Sequence, residues 1–446
     1  MTLIYIQTQG CSANQDDSSI ISNKIIENGY DLTSNEDEIQ YSDLLIFNTC
    51  TVKNPTEDKF VSLLKKYKNE NKKIIVTGCI AQSLKPLIKK NSKLISIRGM
   101  EKDEKKLNDI FENISLVGVN QIDNIINAIE NEFNNKHVQL LEDKQLIKSN
   151  INRDAKVIQT VQILTGCLGA PCTYCKTIFA RGKLVSFPLN DIKKRVEFLV
   201  NNGTKIIYLT SQDNAVYGMD INSNLPTLLN ELLSIPGDFK IRLGMGNPDH
   251  YMLYKKELVE IFKNDKMFKF FHIPIQSGSN KILTHMRRGY TIEHFNEIYD
   301  EIKLEIPDLV FATDIICGFP YEDENDFNQT LEIVNKCKFD VINISKFYPR
   351  LGTLAAEYEQ LHNDIKKERS KELSLLHNKI AFENKLKYMD KELNVIVEAK
   401  NGNDLICRTD NYTQVIVKDN SEIKIGESFK VKIIETSTWH LIGVLI

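Results

Sequence analysis

The chain has 446 residues, 42% hydrophobic and 26% charged, with a formal net charge of −3. That length calls for two or three domains, and the composition is that of a globular protein with enough chain to bury a core. No apolar run reaches the roughly 18 residues of a membrane span, MTLIYIQTQGCSANQ has no basic stretch ahead of an apolar one, and the total charge does not advertise nucleic acid, so a cytoplasmic protein free of membrane is expected.

The first segment alternates strand and helix. TLIYIQT, DLLIFNT and KIIVTG have the length and character of buried strands, and SSIISNKIIENGY and TEDKFVSLLKKYKNE between them carry apolar residues at helical spacing. This β/α order implies a parallel sheet. Each strand runs straight into a cysteine: Cys11, Cys50 and Cys79. Strands of one parallel sheet end on the same edge, so the three thiols are expected to converge on one rim. The competing reading is buried core cysteine, which is common. LISIRG and LVGV are expected as further edge strands. The helical DNIINAIENEFNNK closes a domain over 1–135, and the polar stretch 136–155 reads as a linker.

The β/α alternation resumes over 156–382, with strands expected at VQILTG, KIIYLT, KIRLG, FFHIPI, LVFATDIICG and VINISKF. About six β/α units suggest a full or partial barrel, with its chemistry at the C-terminal strand ends. VQILTG leads into GCLGAPCTYCKTIFARG, which packs Cys167, Cys172 and Cys175 into nine residues. Three thiolates on one loop can ligate three irons of a 4Fe–4S cubane and leave the fourth iron open, whereas a cluster that only carries electrons usually has four cysteines. The alternatives are zinc, which needs a fourth Cys or His that the loop lacks, and stray thiols. Cys317, Cys337 and Cys407 have apolar neighbours and read as buried small residues. The odd total of nine cysteines argues against a disulfide framework.

A long amphipathic helix, DIKKERSKELSLLHNKIAFENKLKYMD, precedes the last domain, 383–446. There NVIVEAK, DLICRT, TQVIVKD, SFKVKIIET and WHLIGVLI give five short strands, read as a small OB-like barrel. The fold class expected is therefore α/β: an N-terminal parallel domain, a central partial (β/α) barrel and a C-terminal β-barrel.

The tight cysteine loop resembles that of radical S-adenosylmethionine (SAM) enzymes. With TQGCSANQ, FNTCTVKNPTED and VTGCIAQ, essentially the whole chain resembles the methylthiotransferase family, which has an N-terminal cluster domain, a radical SAM barrel and a terminal TRAM domain. TVKNPTED, TSQDNAVYG, NLPTLL, RLGMGNP, FHIPIQSGS, ATDIICGFP and FYPRLGT point to the archaeal and eukaryotic branch, which acts on N6-threonylcarbamoyladenosine in tRNA. Branches acting on isopentenyladenosine or on a ribosomal protein resemble the chain less. One departure is the spacing of Cys167 and Cys172, four intervening residues where the family has three, with Pro171 expected to stiffen the extra length. Leu354 stands where the family often has proline.

The resemblance implies two 4Fe–4S clusters, one on Cys167, Cys172 and Cys175 that cleaves SAM to a 5′-deoxyadenosyl radical, and one on Cys11, Cys50 and Cys79 that supplies sulfur to C2 of the modified adenine. A second SAM supplies the methyl group, and an electron donor is needed. Tyr174 between two ligands, Ser211, Gln212 and Asp213 after KIIYLT, Gln276 and Ser277 after FFHIPI, and Asp314 are candidates to shape the SAM site. His272 reads as a satisfied core histidine, and Gly318 and Pro320 as structural. Arg181, Arg287, Arg288, Lys346 and Arg350 are candidates for RNA phosphates, and Lys366, Lys367, Arg369 and Lys371 form a basic patch on one helix. The terminal domain, with 7 Lys+Arg and 8 Asp+Glu over 391–446, is not basic overall. Tyr412 and Trp439 are candidates for base stacking, with barrel core the alternative for Trp439. An RNA-binding iron–sulfur protein without turnover is the reading from another class, and it predicts no SAM cleavage.

Overall fold

The computed structural model describes residues 2–50, 54–83, 111–142, 156–168, 172–350, 352–418 and 422–446, with side chains of 54–59 excluded. LISIRG and Pro171 lie outside the described residues. The chain divides into two compact units. The first takes residues 1–154, 160–191 and 349–356, and the second takes 155–159, 192–348 and 357–446.

The first unit holds a six-stranded sheet of β1 (Leu3–Gln9), β2 (Asp31–Thr33), β3 (Leu44–Thr49), β4 (Lys73–Gly78), β5 (Ser115–Val117) and β6 (Gln139–Leu140). The order is β2-β1-β3-β4-β5-β6, and every pairing is parallel. Helices α1 (Ser12–Glu27), α2 (Asn54–Asn69), α3 (Cys79–Ser83) and α4 (Ile125–Phe133) connect the strands. β3 is buried along its whole length, and separate apolar clusters cover the two faces of the sheet. That is why these strands read as unbroken apolar runs. The strand order reverses between β1 and β3, which opens the crevice at the C-terminal strand ends where open α/β sheets place their ligands. Two expectations need correction. LVGV supplies β5, which is not an edge, and the stretch read as linker from residue 136 contributes the edge strand β6. Two residues are too short a strand to read from periodicity.

The second unit carries β10 (Ile206–Thr210), β11 (Lys240–Leu243), β12 (Phe270–His272), β13 (Val310–Cys317) and β14 (Val341–Lys346). These form parallel β10–β11 pairing and a parallel β12-β13-β14 sheet, and β7 (Ile158–Gln162) edges β10. A parallel bridge from Ile241 to Met267 joins β11 to the start of the β12 side. Helices between the strands complete the partial barrel. The terminal strands β15 (Glu392–Asn401), β16 (Asp404–Thr409), β17 (Gln414–Val417), β18 (Ser428–Thr436) and β19 (Leu441–Leu445) close a barrel in the order β15-β16-β17-β19-β18, the OB-like arrangement expected. Short β8 (Leu164–Thr165) and β9 (Val185–Ser186) pair in the first unit.

The terminal barrel docks on the N-terminal ends of the parallel strands. Ile206, Phe268, Phe270, Val310 and Ala312 enclose its Ile396, with Tyr208 and Tyr412 packed alongside. Arg242 stacks over the rings of Phe270 and Tyr412, 4.6 Å and 4.8 Å from their centroids. The Tyr412 hydroxyl donates to Glu398 at 2.7 Å, Tyr208 also donates to Glu398, and Arg408 pairs with it at 2.6 Å. Burial acts to raise the Glu398 pKa, but Arg408 and the two tyrosines outweigh it and hold the carboxyl below its ordinary value. Tyr412 is thus committed to this junction, which corrects the expectation that it stacks on a base. Tyr412→Phe leaves a buried carboxylate short of one donor and is expected to cost about 1–3 kcal/mol, read as a lower urea midpoint.

Candidate functional site

The three N-terminal cysteines leave adjacent strands at one level. Gln9 is in register with Thr49, and Thr49 with Gly78. Cys50 and Cys79 follow directly and Cys11 follows one residue later, so the sheet sets all three on one rim. Cys50 and Cys79 are buried and Cys11 is exposed.

The surrounding motif residues brace these turns. Asn14 on α1 donates to Asn48 Oδ1 at 2.8 Å and to the Thr49 carbonyl at 3.1 Å. Asn48 donates back to the Asn14 carbonyl and to Ser18 Oγ, both at 2.8 Å. Thr49 Oγ1 donates to the Thr77 carbonyl at 3.0 Å, tying β3 to β4. Gly78 has φ +90°, and a Cβ there would stand 2.5 Å from the Thr49 carbonyl oxygen. Only glycine fits that turn. At Gly10 a Cβ would stand 2.9 Å from Cys50 Cβ, so close approach of the β1 and β3 turns needs glycine as well.

The cysteines perturb one another. Cys50 donates to both Cys11 and Cys79, which pushes its own pKa up. The hydrogen bond from Cys50 lowers Cys11 to about 5, with Arg181 adding to the lowering. Cys79 is lowered by the same donor first, again against burial and with help from Arg181. Cys50 is thus the donor within the trio, and the Arg181 cation stands beside it.

Cys167, Cys172 and Cys175 belong to the same compact unit. Cys167 is held by a bridge to Lys183, and its carbonyl accepts from the Leu184 N–H at 2.8 Å. The Cys175 N–H donates to the Cys172 carbonyl at 3.0 Å, and burial raises the Cys175 thiol, with Cys172 contributing as a neighbouring charge. Helix α5 (Thr177–Arg181) follows and packs on α3, whose first residue is Cys79. Cys79, Val119 and Ala180 form one apolar cluster there. The Gln162 N–H donates to Asp16 on α1 at 3.2 Å. The two cysteine groups are therefore built onto one body, a link that neither motif announces by itself.

Among the described residues, no three His, Cys, Asp or Glu side chains are set to chelate a single metal ion. A cubane does not need such a chelate, because each thiolate binds a different iron. It needs several thiolates facing one space, and Cys11, Cys50 and Cys79 supply that. The residues present fit a three-cysteine cluster.

The second unit presents its polar groups at C-terminal strand ends. Ser211 is buried, its hydroxyl lacks a hydrogen-bond partner among the described residues, and Gln212 is half-buried beside it. Gln276 has φ +63° and continues the β12–β13 pairing, its N–H donating to the Asp314 carbonyl at 2.8 Å. Asp314 accepts from Asn343 Nδ2 at 2.7 Å and lies 2.9 Å from His272 Nε2, so His272 is satisfied as expected. Asp213 and Arg288 were expected here, but the sequence reading passed over Asn247 and His250, which join them. Asp213 accepts from the Asn247 N–H at 2.9 Å and faces His250 Nδ1 at 3.0 Å. Burial works against the charged imidazole, but Asp213 outweighs it and the His250 pKa is raised. Arg288 donates to Asn247 Oδ1 at 2.6 Å. The signal was present in RLGMGNPDH, directly after a strand.

Several basic expectations need correction. Arg181 is 1% exposed and paired with Asp17 at 2.8 Å, so it does not meet RNA phosphates. Lys366 and Arg369 are also buried, which leaves only Lys367 and Lys371 of the expected patch on the surface. Arg287 is exposed, and Lys346 and Arg350 are half-buried. Trp439 is 59% exposed beside the His377 ring, outside the barrel core. Cys317, Cys337 and Cys407 are buried, and burial pushes each thiol up to about 12. They are expected to resist iodoacetamide in the native chain and to react on denaturation, as peptide mass mapping reports.

Three family profiles match along the chain: the uncharacterized protein family UPF0004 over residues 3–98, the radical SAM superfamily over 161–334 and the TRAM domain over 387–446. A threonylcarbamoyladenosine tRNA methylthiotransferase from Homo sapiens is 35% identical, covering 99% of this chain and 73% of its own length. A probable threonylcarbamoyladenosine tRNA methylthiotransferase from Pyrococcus abyssi is 36% identical over 96% of each, and one from Methanocaldococcus jannaschii is 35% identical over 99% of this chain and 97% of its own. Among solved structures, the radical SAM methyltransferase TsrM from Kitasatospora setae matches with a TM-score of 0.57 at 9% identity, over 80% of this chain and 77% of that one, which is a likeness of fold. The radical SAM profile and the full-length relatives together define a radical SAM enzyme of the kind that transfers sulfur and methyl groups. The chain belongs to the threonylcarbamoyladenosine tRNA methylthiotransferase family, shared by eukaryotes and archaea. SAM and iron–sulfur chemistry go with the radical SAM family to which the central segment belongs. No described helix is long and apolar enough to cross a membrane.

Proposed function

We propose that this enzyme methylthiolates C2 of N6-threonylcarbamoyladenosine 3′ of the tRNA anticodon, giving 2-methylthio-N6-threonylcarbamoyladenosine. The observation that carries the reading is the packing of α5 on α3, which puts the Cys167–Cys175 loop and the Cys11, Cys50, Cys79 rim on one compact unit. A transfer that starts with a radical and ends with sulfur needs both groups held around one substrate carbon.

In this reading Cys167, Cys172 and Cys175 hold one cluster and Cys11, Cys50 and Cys79 the other. When bound, the clusters and SAM supply radical formation, sulfur and methyl, and the protein supplies orientation and exclusion of water. Asn14 and Asn48 fix the turns that carry Cys11 and Cys50, and Cys50 and Cys79 sit buried at their strand ends. Tyr174, Ser211, Gln212, Gln276 and Asp314 are assigned to SAM, and Arg287, Arg288, Lys346 and Arg350 to RNA phosphates. We take the domains as 1–135, 156–382 and 383–446, with 136–155 connecting the first two and lending its β6 to the first sheet. An electron donor is a required partner, and the cytoplasm is the compartment.

The test is anaerobic reconstitution with iron and sulfide, followed by SAM, reductant and tRNA bearing threonylcarbamoyladenosine, with nucleoside mass spectrometry. A parallel reaction uses tRNA bearing isopentenyladenosine. A methylthio mass gain on the threonylcarbamoyl nucleoside alone is the result expected. A gain on the isopentenyl nucleoside alone overturns the substrate, and absence of SAM cleavage in a fully loaded preparation overturns the enzyme.

A further inference from the structure

Arg181 ends α5 with its side chain 1% exposed, and Asp17 on α1, equally buried, is its carboxylate partner, at 2.8 Å. Burying an arginine this deeply is costly unless its charge and its N–H groups are both answered. Asp17 answers the charge. The donors are only partly answered: Nη2 meets Asp17, while Nε and Nη1 have no hydrogen-bond partner among the described residues. A guanidinium offers five N–H donors in a fixed fork, so one carboxylate oxygen leaves most of them open. The neighbours that remain are sulfur. Cys79 lies within hydrogen-bond reach of Arg181, and Cys11 stands on the same rim. Ala180, one residue back, is packed on Cys79, so the position of Arg181 is set by the same contact that joins the two cysteine groups.

We propose that Arg181 is a positioning residue that holds a small anionic sulfur ligand, a hydrosulfide or an alkyl thiolate, on the iron that Cys11, Cys50 and Cys79 leave without a protein ligand. The inference rests on the reading of that trio as a three-cysteine cluster. Three thiolates around a 4Fe–4S core leave it net negative, and an added sulfur anion makes it more so. A carboxylate at Asp17 opposes the same anion. Arg181 is the cation placed against all of them, and its open N–H groups are donors of the kind that tune cluster sulfur. The arrangement selects a soft anion that accepts hydrogen bonds weakly and tolerates a dry site, over water or a neutral ligand.

The test uses the full chain with Cys167, Cys172 and Cys175 changed to alanine, so that only the N-terminal cluster is loaded. Sodium methanethiolate is titrated into the reduced protein, and the change in the electron paramagnetic resonance spectrum gives its affinity. Iron and acid-labile sulfide are measured in the same samples. Arg181→Met is expected to load about four irons per chain and to bind methanethiolate about tenfold more weakly. Arg181→Lys restores part of that affinity as a point charge without the fork. Asp17→Asn removes the opposing carboxylate and is expected to bind about threefold more tightly, a gain that a merely structural ion pair does not give. Should Arg181→Met fail to fold, Asp17→Asn alone decides, and unchanged or weaker binding there overturns the proposal. Equal affinity in parent and Arg181→Met overturns it too, as does a loaded parent with no saturable response, and either leaves the methylthiotransferase reading intact. A parent that takes up no cluster overturns the cluster reading and this proposal together.

Discussion

Cys79→Ala is expected to abolish the methylthio product while 5′-deoxyadenosine still forms from SAM. Cys79 is one of the three rim thiols and is buried at the start of α3. Alanine keeps the Cβ that packs with Val119 and Ala180, so α5 and the Cys167–Cys175 loop keep their support. The substitution removes a sulfur ligand without opening a large cavity, since only one heavy atom is lost. Radical formation depends on the other cysteine group and survives, and the sulfur step does not. Nucleoside mass spectrometry and quantitation of 5′-deoxyadenosine in one reaction separate the two. Retained methylthiolation would remove the N-terminal trio from the chemistry, and loss of both products would show that the two cysteine groups do not act separately.

Arg369→Met is expected to lower stability by about 3–5 kcal/mol, the cost of leaving one partner of a buried pair alone. Arg369 donates to Glu322 Oε1 at 2.7 Å and to the Glu322 carbonyl at 3.0 Å, and both side chains are nearly inaccessible. The Gly318 N–H donates to the same Oε1 at 2.9 Å, so the pair fixes the turn after β13. Methionine keeps the stem and deletes the charge. The loss should depend on pH. Burial is the largest influence on Glu322 and pushes it up to about 6, against the pull of the Gly318 N–H and Arg369. A carboxyl raised in the folded state favours folding at low pH, and that advantage is lost as pH rises from its unfolded value through about 6. Without Arg369 the ionised form loses its attraction and the folded pKa climbs further. Destabilisation is therefore smaller at pH 5 than at pH 8. Urea unfolding followed by the fluorescence of Trp439 checks this, and an equal loss at both values would contradict it.

The cysteine rim was legible because it rests on a local rule. A strand that ends in Gly or Thr and then Cys, three times over, puts the thiols at one edge whatever the intervening helices do. The partial barrel and the five-stranded terminal barrel were legible for a similar reason, since their strands carry their own period and turn residues. Pairing across the chain was not. Arg181 and Arg369 look like surface cations from the sequence, because nothing nearby announces that Asp17 and Glu322 will be buried against them. Tyr412 looked available to a base until Phe268, Phe270 and Arg242, from remote parts of the chain, closed around it. The edge strand β6 was hidden because two residues carry no period.

Mössbauer spectroscopy of the chain reconstituted anaerobically with 57Fe tests the central claim most directly, that one folded unit carries two three-cysteine cluster sites. About eight irons per chain are expected, in two 4Fe–4S spectra. Changing Cys11, Cys50 and Cys79 to alanine, or Cys167, Cys172 and Cys175, should each leave about four. A parent holding only about four irons, unchanged when Cys11, Cys50 and Cys79 are replaced, would contradict the account.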